Sequence, residues 1–155
     1  MPNRNIKQLK PSKNSPFKQG YINPKTCKKV FESQKNKPII FRSSYERKFV
    51  WWCETSDLVK RWASEPFSIN YYNPLDKKTH NYWPDYLVEF NDGTIMVVEV
   101  KPWCQTQKPD ALYGPGDRVF DDYVKNMQKW KAAREFCEAR NMQFKVITER
   151  TISKL

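Results

Sequence analysis

Two strand-like runs of this chain carry three charged residues where apolar side chains would be expected: Asp85, Glu99 and Lys101. The runs are rich in Val, Ile, Tyr and Phe, and a polar Asn-Asp-Gly break at 91–93 separates them. This pattern is typical of an antiparallel hairpin. Two carboxylates and a lysine on one face can hold Mg²⁺, which proteins bind through one or two carboxylates together with waters and phosphate oxygens. The chemistry that such a set would support is metal-assisted phosphodiester hydrolysis.

The length of the hairpin turn decides whether the two acids meet. If the Asn-Asp-Gly segment is a three-residue loop with its glycine in the left-handed conformation, the register places Asp85 directly opposite Glu99. Cross-strand partners have Cβ atoms about 4.5–5.5 Å apart, and the alternation of side chains puts Lys101 on the same face as Glu99. A two-residue Asp-Gly turn would send the acids to opposite faces. We predict the three-residue loop.

The same residues also have a purely structural interpretation. Asp85 would then cap a turn after Pro84, and Glu99 would form an ion pair with Lys101, as many structural carboxylates do. Two acids this close raise one another's pKa unless a cation lies between them. The combination of Pro-Asp, a suitable spacing and Glu-x-Lys within a Val-rich strand favours the metal site.

Glu46 is a candidate third acid at the start of a predicted helix. Ser43 is a good N-cap, and Glu46 three residues later fits a capping box. Phe49 and Val50 follow at helical spacing, so Glu46 begins the face that turns inward. We interpret Glu46 as a ligand of the metal or of a metal-bound water, and this role does not exclude capping.

Several basic residues near these acids are candidates for contacts with phosphate groups. Three lie around the first turn of that helix, and two lie on the first turns of a long helix predicted over 121–140: Arg42, Arg47, Lys48, Lys125 and Lys129. For Lys129 an active-site contact and a solvated helix face both stay open.

The basic residues are concentrated at the start of the chain. Of 155 residues with a net charge of +11, residues 1–48 carry thirteen Lys or Arg against two acids, and the remainder balances at fifteen of each. We predict a basic, Pro- and Lys-rich arm over 1–38 that is extended or mobile, followed by one domain over 39–155. Such an arm would collect phosphates. A solubilising tail or a protein-binding segment is the alternative.

The composition of the chain limits the size of its core and the compartments in which it could act. A chain that is 39% hydrophobic can form one compact core. No apolar run approaches the length that spans a bilayer, so we expect no membrane partner and a place in the cytoplasm.

The predicted elements form a mixed α/β fold. They are a short strand at 38–42, a helix from Ser43, a short helix over 57–63, a strand over 67–72, the hairpin, an irregular segment over 103–118, a helix over 121–140 and a strand over 143–148. We expect a mixed β-sheet flanked by helices on both sides, in which the long helix is a right-handed crossover between parallel strands.

These motifs resemble a known superfamily. Pro84-Asp85 followed by Glu99-Val100-Lys101 resembles the signature of PD-(D/E)xK nucleases, and Ser43 to Phe49 resembles the helix that carries their upstream acid. Over 39–149 the set is similar to the endonuclease subunit of heteromeric transposases and to the small head-completion nuclease of large tailed phages.

The resemblance implies a restriction-endonuclease-like αβββαβ core and a Mg²⁺-dependent DNA endonuclease, with Mn²⁺ as a possible substitute. Asp85, Glu99, the Val100 carbonyl and Glu46 would hold one or two ions, and Lys101 would orient the attacking water or stabilise the transition state.

The phage resemblance further implies trimming or finishing of packaged DNA ends during head completion, with portal or capsid proteins as partners. The protein would then act in the host cytoplasm or on the virion. The alternatives are an endonuclease of a transposition or repair complex, and a basic structural protein of the virion that binds DNA without cleaving it.

Overall fold

A computed structural model describes residues 20–155 of the chain. In that range it contains eight strands and three α-helices, joined by loops and short 3-10 turns. In chain order they are β1 (Gly20–Ile22), β2 (Ile39–Phe41), α1 (Ser44–Thr55), β3 (Val59–Ser64), β4 (Ile69–Asn73), β5 (Lys78–Tyr82), β6 (Tyr86–Phe90), β7 (Ile95–Val100), α2 (Arg118–Glu138), β8 (Gln143–Ile147) and α3 (Glu149–Ile152).

A four-stranded mixed sheet in the order β3-β6-β7-β8 forms the centre of the fold. The pairs β3–β6 and β6–β7 are antiparallel, while β7 and β8 are parallel and are connected through α2. With α1 before it, the series α1-β3-β6-β7-α2-β8 is the predicted αβββαβ core. The restriction-endonuclease-like fold class is therefore confirmed, with β4 and β5 inserted after its first strand.

The hairpin of β6 and β7 has the predicted register. Tyr86 pairs with Val98, and Glu89 pairs with Ile95. The Phe90 N–H donates to the carbonyl oxygen of Thr94 at 2.8 Å. Gly93 has a φ of 91°, the left-handed conformation that the three-residue loop requires. One pair beyond Tyr86 and Val98, the same register places Asp85 opposite Glu99.

Apolar side chains cover both faces of the central sheet. On one face, α1 and α3 pack over residues such as Trp62, Tyr86 and Val98. On the other face, α2 and the β4–β5 ribbon form a second cluster that contains Tyr82 and Trp130. Alternation along β7 directs Val98 to the first face and Glu99 to the second.

The predicted short helix over 57–63 is wrong. Residues Val59–Ser64 form β3, in which Trp62 pairs with Val88 of β6. Ser56 ends α1, since its N–H donates to the Trp52 carbonyl oxygen. Sheet pairing and burial of Val59 and Trp62 outweigh the local signal for a new helix. The predicted strand over 67–72 forms as β4, but it pairs with β5 outside the central sheet.

The described part of the predicted arm packs against the domain. β1 pairs with β2, and Val30 forms a bridge with Trp62. The backbone N–H groups of Lys28 and Lys29 donate to the Glu54 carboxylate at 2.6 and 2.9 Å. Residues 1–19 lie outside the described residues, so the arm and its boundary at residue 38 stay predictions.

The long helix α2 begins three residues before its predicted start. It is followed by Asn141, whose φ of 54° is left-handed, as expected of a residue that ends a helix. None of the helices in residues 20–155 combines the length and the apolar character needed to cross a membrane.

Candidate active site

A cavity of about 180 Å³ opens where β7 ends and α1 begins. It brings together all four residues predicted to be catalytic, together with the predicted ligand Val100 and the predicted phosphate contact Arg42. Its lining consists of Arg42, Ser43, Glu46, Asp85, Glu99, Val100, Lys101, Pro102 and Gln105. We call it the catalytic cavity.

The hairpin positions the first acid through the backbone of its partner strand. The Val100 N–H donates to Oδ2 of Asp85 at 2.8 Å. The carbonyl oxygen of Asp85 in turn accepts from the Glu65 N–H at 2.8 Å. Nζ of Lys101 lies 3.6 Å from Oε1 of Glu99. The two acids and the lysine therefore converge as the register predicts.

Glu99 has a second partner that the sequence analysis missed. The hydroxyl of Tyr82, a buried residue at the end of β5, donates to Oε2 of Glu99 at 2.6 Å. In the sequence, Tyr82 is one aromatic residue among many before Pro84, so its type carries no signal. Only the position of the β4–β5 ribbon against the sheet reveals the contact.

Glu46 is both a capping residue and an inward-facing acid. The Glu46 N–H donates to Oγ of Ser43 at 3.2 Å, and Oε2 of Glu46 accepts from the Arg42 N–H and the Ser43 hydroxyl at 3.0 and 3.1 Å. The residue is only 7% exposed. Both predicted roles are therefore compatible with its position.

The electrostatics of the cavity disfavour three charged carboxylates. Burial raises the pKa of Glu46 to about 7. The pKa of Asp85 is raised well above its ordinary value by removal from solvent, and next by the charges of Glu99 and Glu46. Burial also raises the pKa of Glu99, although Lys101 and the Tyr82 hydroxyl oppose this shift. A cation placed among these groups would restore their ionised forms.

Lys129 lies on the side of α2 that faces the site. Its Nζ lies 5.8 Å from the ring centre of Tyr71 and 5.5 Å from that of Tyr82. Burial lowers the pKa of Lys129, and the charge of Glu99 opposes this. Lys129 is half-buried, and its contact with the active site or with phosphate stays a prediction. Lys125 lies one turn earlier on α2 and is also half-buried.

The three basic residues at or just before the first turn of α1 have different surroundings. Arg42 lines the catalytic cavity, and its guanidinium lies 3.1 Å from Oε1 of Glu65. Arg47 is exposed, with its guanidinium 5.7 Å from the centre of the Phe41 ring. Lys48 is exposed on the helix surface. Their contacts with DNA stay predictions.

The donor chemistry fits a divalent cation bound together with substrate. Within residues 20–155, no three His, Cys, Asp or Glu side chains form a ready-made metal cluster. Mg²⁺ is usually held by one or two carboxylates plus waters and phosphate oxygens, without a complete protein cage. Asp85 and Glu99 each use one oxygen for a protein hydrogen bond. Their remaining oxygens can serve as ligands.

Comparison with known proteins relates this geometry to an enzyme family. The family model described as TnsA-like endonuclease N terminal matches residues 56–149, which include Asp85, Glu99 and Lys101. The head completion nuclease of Enterobacteria phage T4 is 30% identical over 120 residues, which cover 73% of this chain and 80% of that protein. The resemblance and the enzyme class, a nuclease, are confirmed. The chain belongs to the family of TnsA-like endonucleases.

Proposed function

We propose that this nuclease is a Mg²⁺-dependent DNA endonuclease that trims or finishes packaged DNA ends during phage head completion. The observation that carries the proposal is the convergence of Asp85, Glu99 and Lys101 on one cavity in a member of an endonuclease family. The similarity to a phage head completion nuclease supports the biological setting.

In the proposed mechanism, the chain supplies the metal ligands, the positive charge of Lys101 and the hydrogen bonds that hold these groups in place. Asp85 and Glu99, with the Val100 carbonyl and Glu46, would hold one or two divalent ions; Mn²⁺ is an expected substitute for Mg²⁺. When bound, the metal neutralises the carboxylates, polarises the scissile phosphate and makes water more acidic. Lys101, 3.6 Å from Glu99, orients the attacking water or stabilises charge that develops on the phosphate.

The surrounding residues would hold the substrate. Arg42 at the cavity and Lys129 on α2 are near enough to the site to contact the phosphates next to the scissile bond. Arg47 and Lys48 on α1 and Lys125 on α2 would extend this contact along the strand. Such contacts position DNA but do not read its sequence, so the proposal implies little sequence preference from these residues.

The test is cleavage of linear, circular and branched DNA with and without Mg²⁺. Asp85→Asn and Lys101→Ala should each reduce Mg²⁺-dependent cleavage at least about 100-fold, because each removes a group at the reacting centre. DNA retention, measured in EDTA, should change little, because most of the basic residues remain.

Matched controls are Glu138→Gln and Lys145→Ala, which alter exposed residues away from the cavity. Both should cleave at the wild-type rate. Wild-type cleavage by purified Asp85→Asn and Lys101→Ala would refute the assignment of the site.

An endonuclease of a transposition complex is the second candidate, and the TnsA-like family match favours it. A requirement for a partner protein, or cleavage confined to specific DNA ends, would support that function. For the first candidate, we propose portal or capsid proteins as partners and the host cytoplasm or the virion as the place of action.

A further inference from the structure

A second cavity lies between the segment that follows β7 and the first turns of α2. Its volume of about 610 Å³ falls in the range of about 300–1,000 Å³ that is typical of small-ligand sites. Gln105 lines both this cavity and the catalytic cavity, so the two adjoin. We call the second one the loop–helix cavity.

Asn126 of α2 is a buried polar residue that lines the loop–helix cavity. The residue as a whole is 7% exposed, and its amide group lies at the wall of the cavity. An amide carries two donor hydrogens and an acceptor oxygen, so it can hydrogen-bond a molecule in the cavity. At this place Asn126 can recognise a ligand that has complementary donors and acceptors.

The other walls of the loop–helix cavity indicate the class of that ligand. Tyr123 contributes a half-buried aromatic ring, and Pro109 contributes a further apolar surface. Lys108 and Arg118 supply positive charge, and the Asp122 carboxylate lies 3.7 Å from Arg118. A flat group with a polar edge, attached to a phosphate, matches these features. A base stacked on an aromatic ring gains about 1–3 kcal/mol, and asparagine can pair with a base edge through two hydrogen bonds.

We propose that the loop–helix cavity binds one unpaired nucleobase of the DNA strand whose phosphate lies in the catalytic cavity. This inference rests on the proposed function, because it places the base next to the phosphate that is cut. A base inside a duplex is stacked and paired, and its removal costs least where it is already unpaired. The substrate class is therefore DNA with unpaired nucleotides at the cleavage point, such as a frayed end, a flap or a single strand.

The test is binding of oligonucleotides that carry the fluorescent base 2-aminopurine, single-stranded or in a matched duplex, to the full chain in EDTA. Fluorescence of the single-stranded probe should change when it binds the wild type, because the base leaves its neighbours in the strand and stacks on Tyr123. Asn126→Leu, which keeps the size of the side chain, should weaken single-strand binding relative to duplex binding at least about fivefold. Tyr123→Leu should remove the fluorescence change. The control Glu135→Gln, on the exposed face of α2, should match the wild type.

Equal single-strand preference in wild type and Asn126→Leu, or an unchanged fluorescence response in Tyr123→Leu, would overturn the base subsite. Circular dichroism confirms that each variant is folded, and the two variants test the cavity independently. Since binding is measured in EDTA, the result does not depend on catalysis. A wild-type protein that fails to cut any DNA with Mg²⁺ would instead contradict the proposed function.

Discussion

Tyr82 supports the active site from a strand outside the catalytic hairpin. Its hydroxyl donates to Glu99 at 2.6 Å. Burial of the side chain, and next the charge of Glu99, raise the pKa of Tyr82 itself. The hydroxyl therefore stays protonated and donates its hydrogen to Glu99. Since it stabilises the charged form of Glu99, Tyr82 is a positioning residue that keeps this acid ready to bind a cation.

Tyr82→Phe should shift the pH profile of Mg²⁺-dependent cleavage toward higher pH. Loss of a hydrogen bond to a charged group costs about 1.5–3 kcal/mol, so the acidic limb should move by about one pH unit or more. The rate at high pH should fall less than the rate at neutral pH. A control is Tyr72→Phe, at an exposed tyrosine of β4. A profile of Tyr82→Phe that coincides with the wild type would show that the hydroxyl does not act on the site.

At the scale of the elements, the hairpin fixes the geometry of the acids through its turn. Gly93 has a positive φ of 91°, and an added Cβ would meet no atom within 4 Å. The cost of a side chain there is therefore conformational alone.

Gly93→Ala should lower the free energy of unfolding by about 1–2 kcal/mol, the usual penalty of the left-handed conformation. Gly114→Ala is the matched control, since its Cβ would also meet nothing within 4 Å and its φ is not in that region. Urea denaturation of both variants checks the prediction. An equal stability of Gly93→Ala and Gly114→Ala would contradict the role of this glycine in holding the register.

The elements also show what sequence patterns can and cannot determine. The register was predictable because a three-residue loop ending in glycine leaves one pairing that brings the charges to one face. The identity of β3 could not be predicted, because Val59 and Trp62 have the i, i+3 spacing of a helix. A register shift between Val59 and Arg61 is what allows both residues to be buried in a strand. The hydrogen bond between Tyr82 and Glu99 could not be predicted either, because the β4–β5 ribbon that carries Tyr82 packs through tertiary contacts between distant segments.

At the scale of the whole molecule, we expect the distribution of charge to govern the strength of DNA binding. Residues 1–19 contain five Lys or Arg and no acidic residue. Replacing these five residues by Gln in the full chain should weaken DNA binding and make it less sensitive to salt. Each phosphate contact contributes about 0.9 to the magnitude of the slope of log affinity against log salt concentration, so this magnitude should fall by up to about 4.5. Fluorescence anisotropy over a series of salt concentrations measures it, and an unchanged slope would assign these residues another role.

The buried acids should couple the stability of the whole domain to pH and to metal. Burial raises the pKa of Glu46 from an ordinary 4.5 to about 7, and those of Asp85 and Glu99 move in the same direction. The folded state therefore binds protons more tightly than the unfolded state, so its stability without metal should fall as pH rises from about 4.5 to about 7. Because a cation binds ionised carboxylates, Mg²⁺ should raise the melting temperature more at about pH 8 than at about pH 5.

Thermal unfolding in EDTA and in Mg²⁺, at both pH values, measures this coupling. Glu46→Gln imitates the protonated acid and keeps an acceptor for the Arg42 N–H and the Ser43 hydroxyl. In EDTA this variant should be more stable than the wild type at about pH 8 and should differ little at about pH 5, because only the first condition charges Glu46. The exposed control Glu138→Gln should follow the wild type. If Mg²⁺ stabilised the wild type equally at both pH values, the buried carboxylates would not be its binding site.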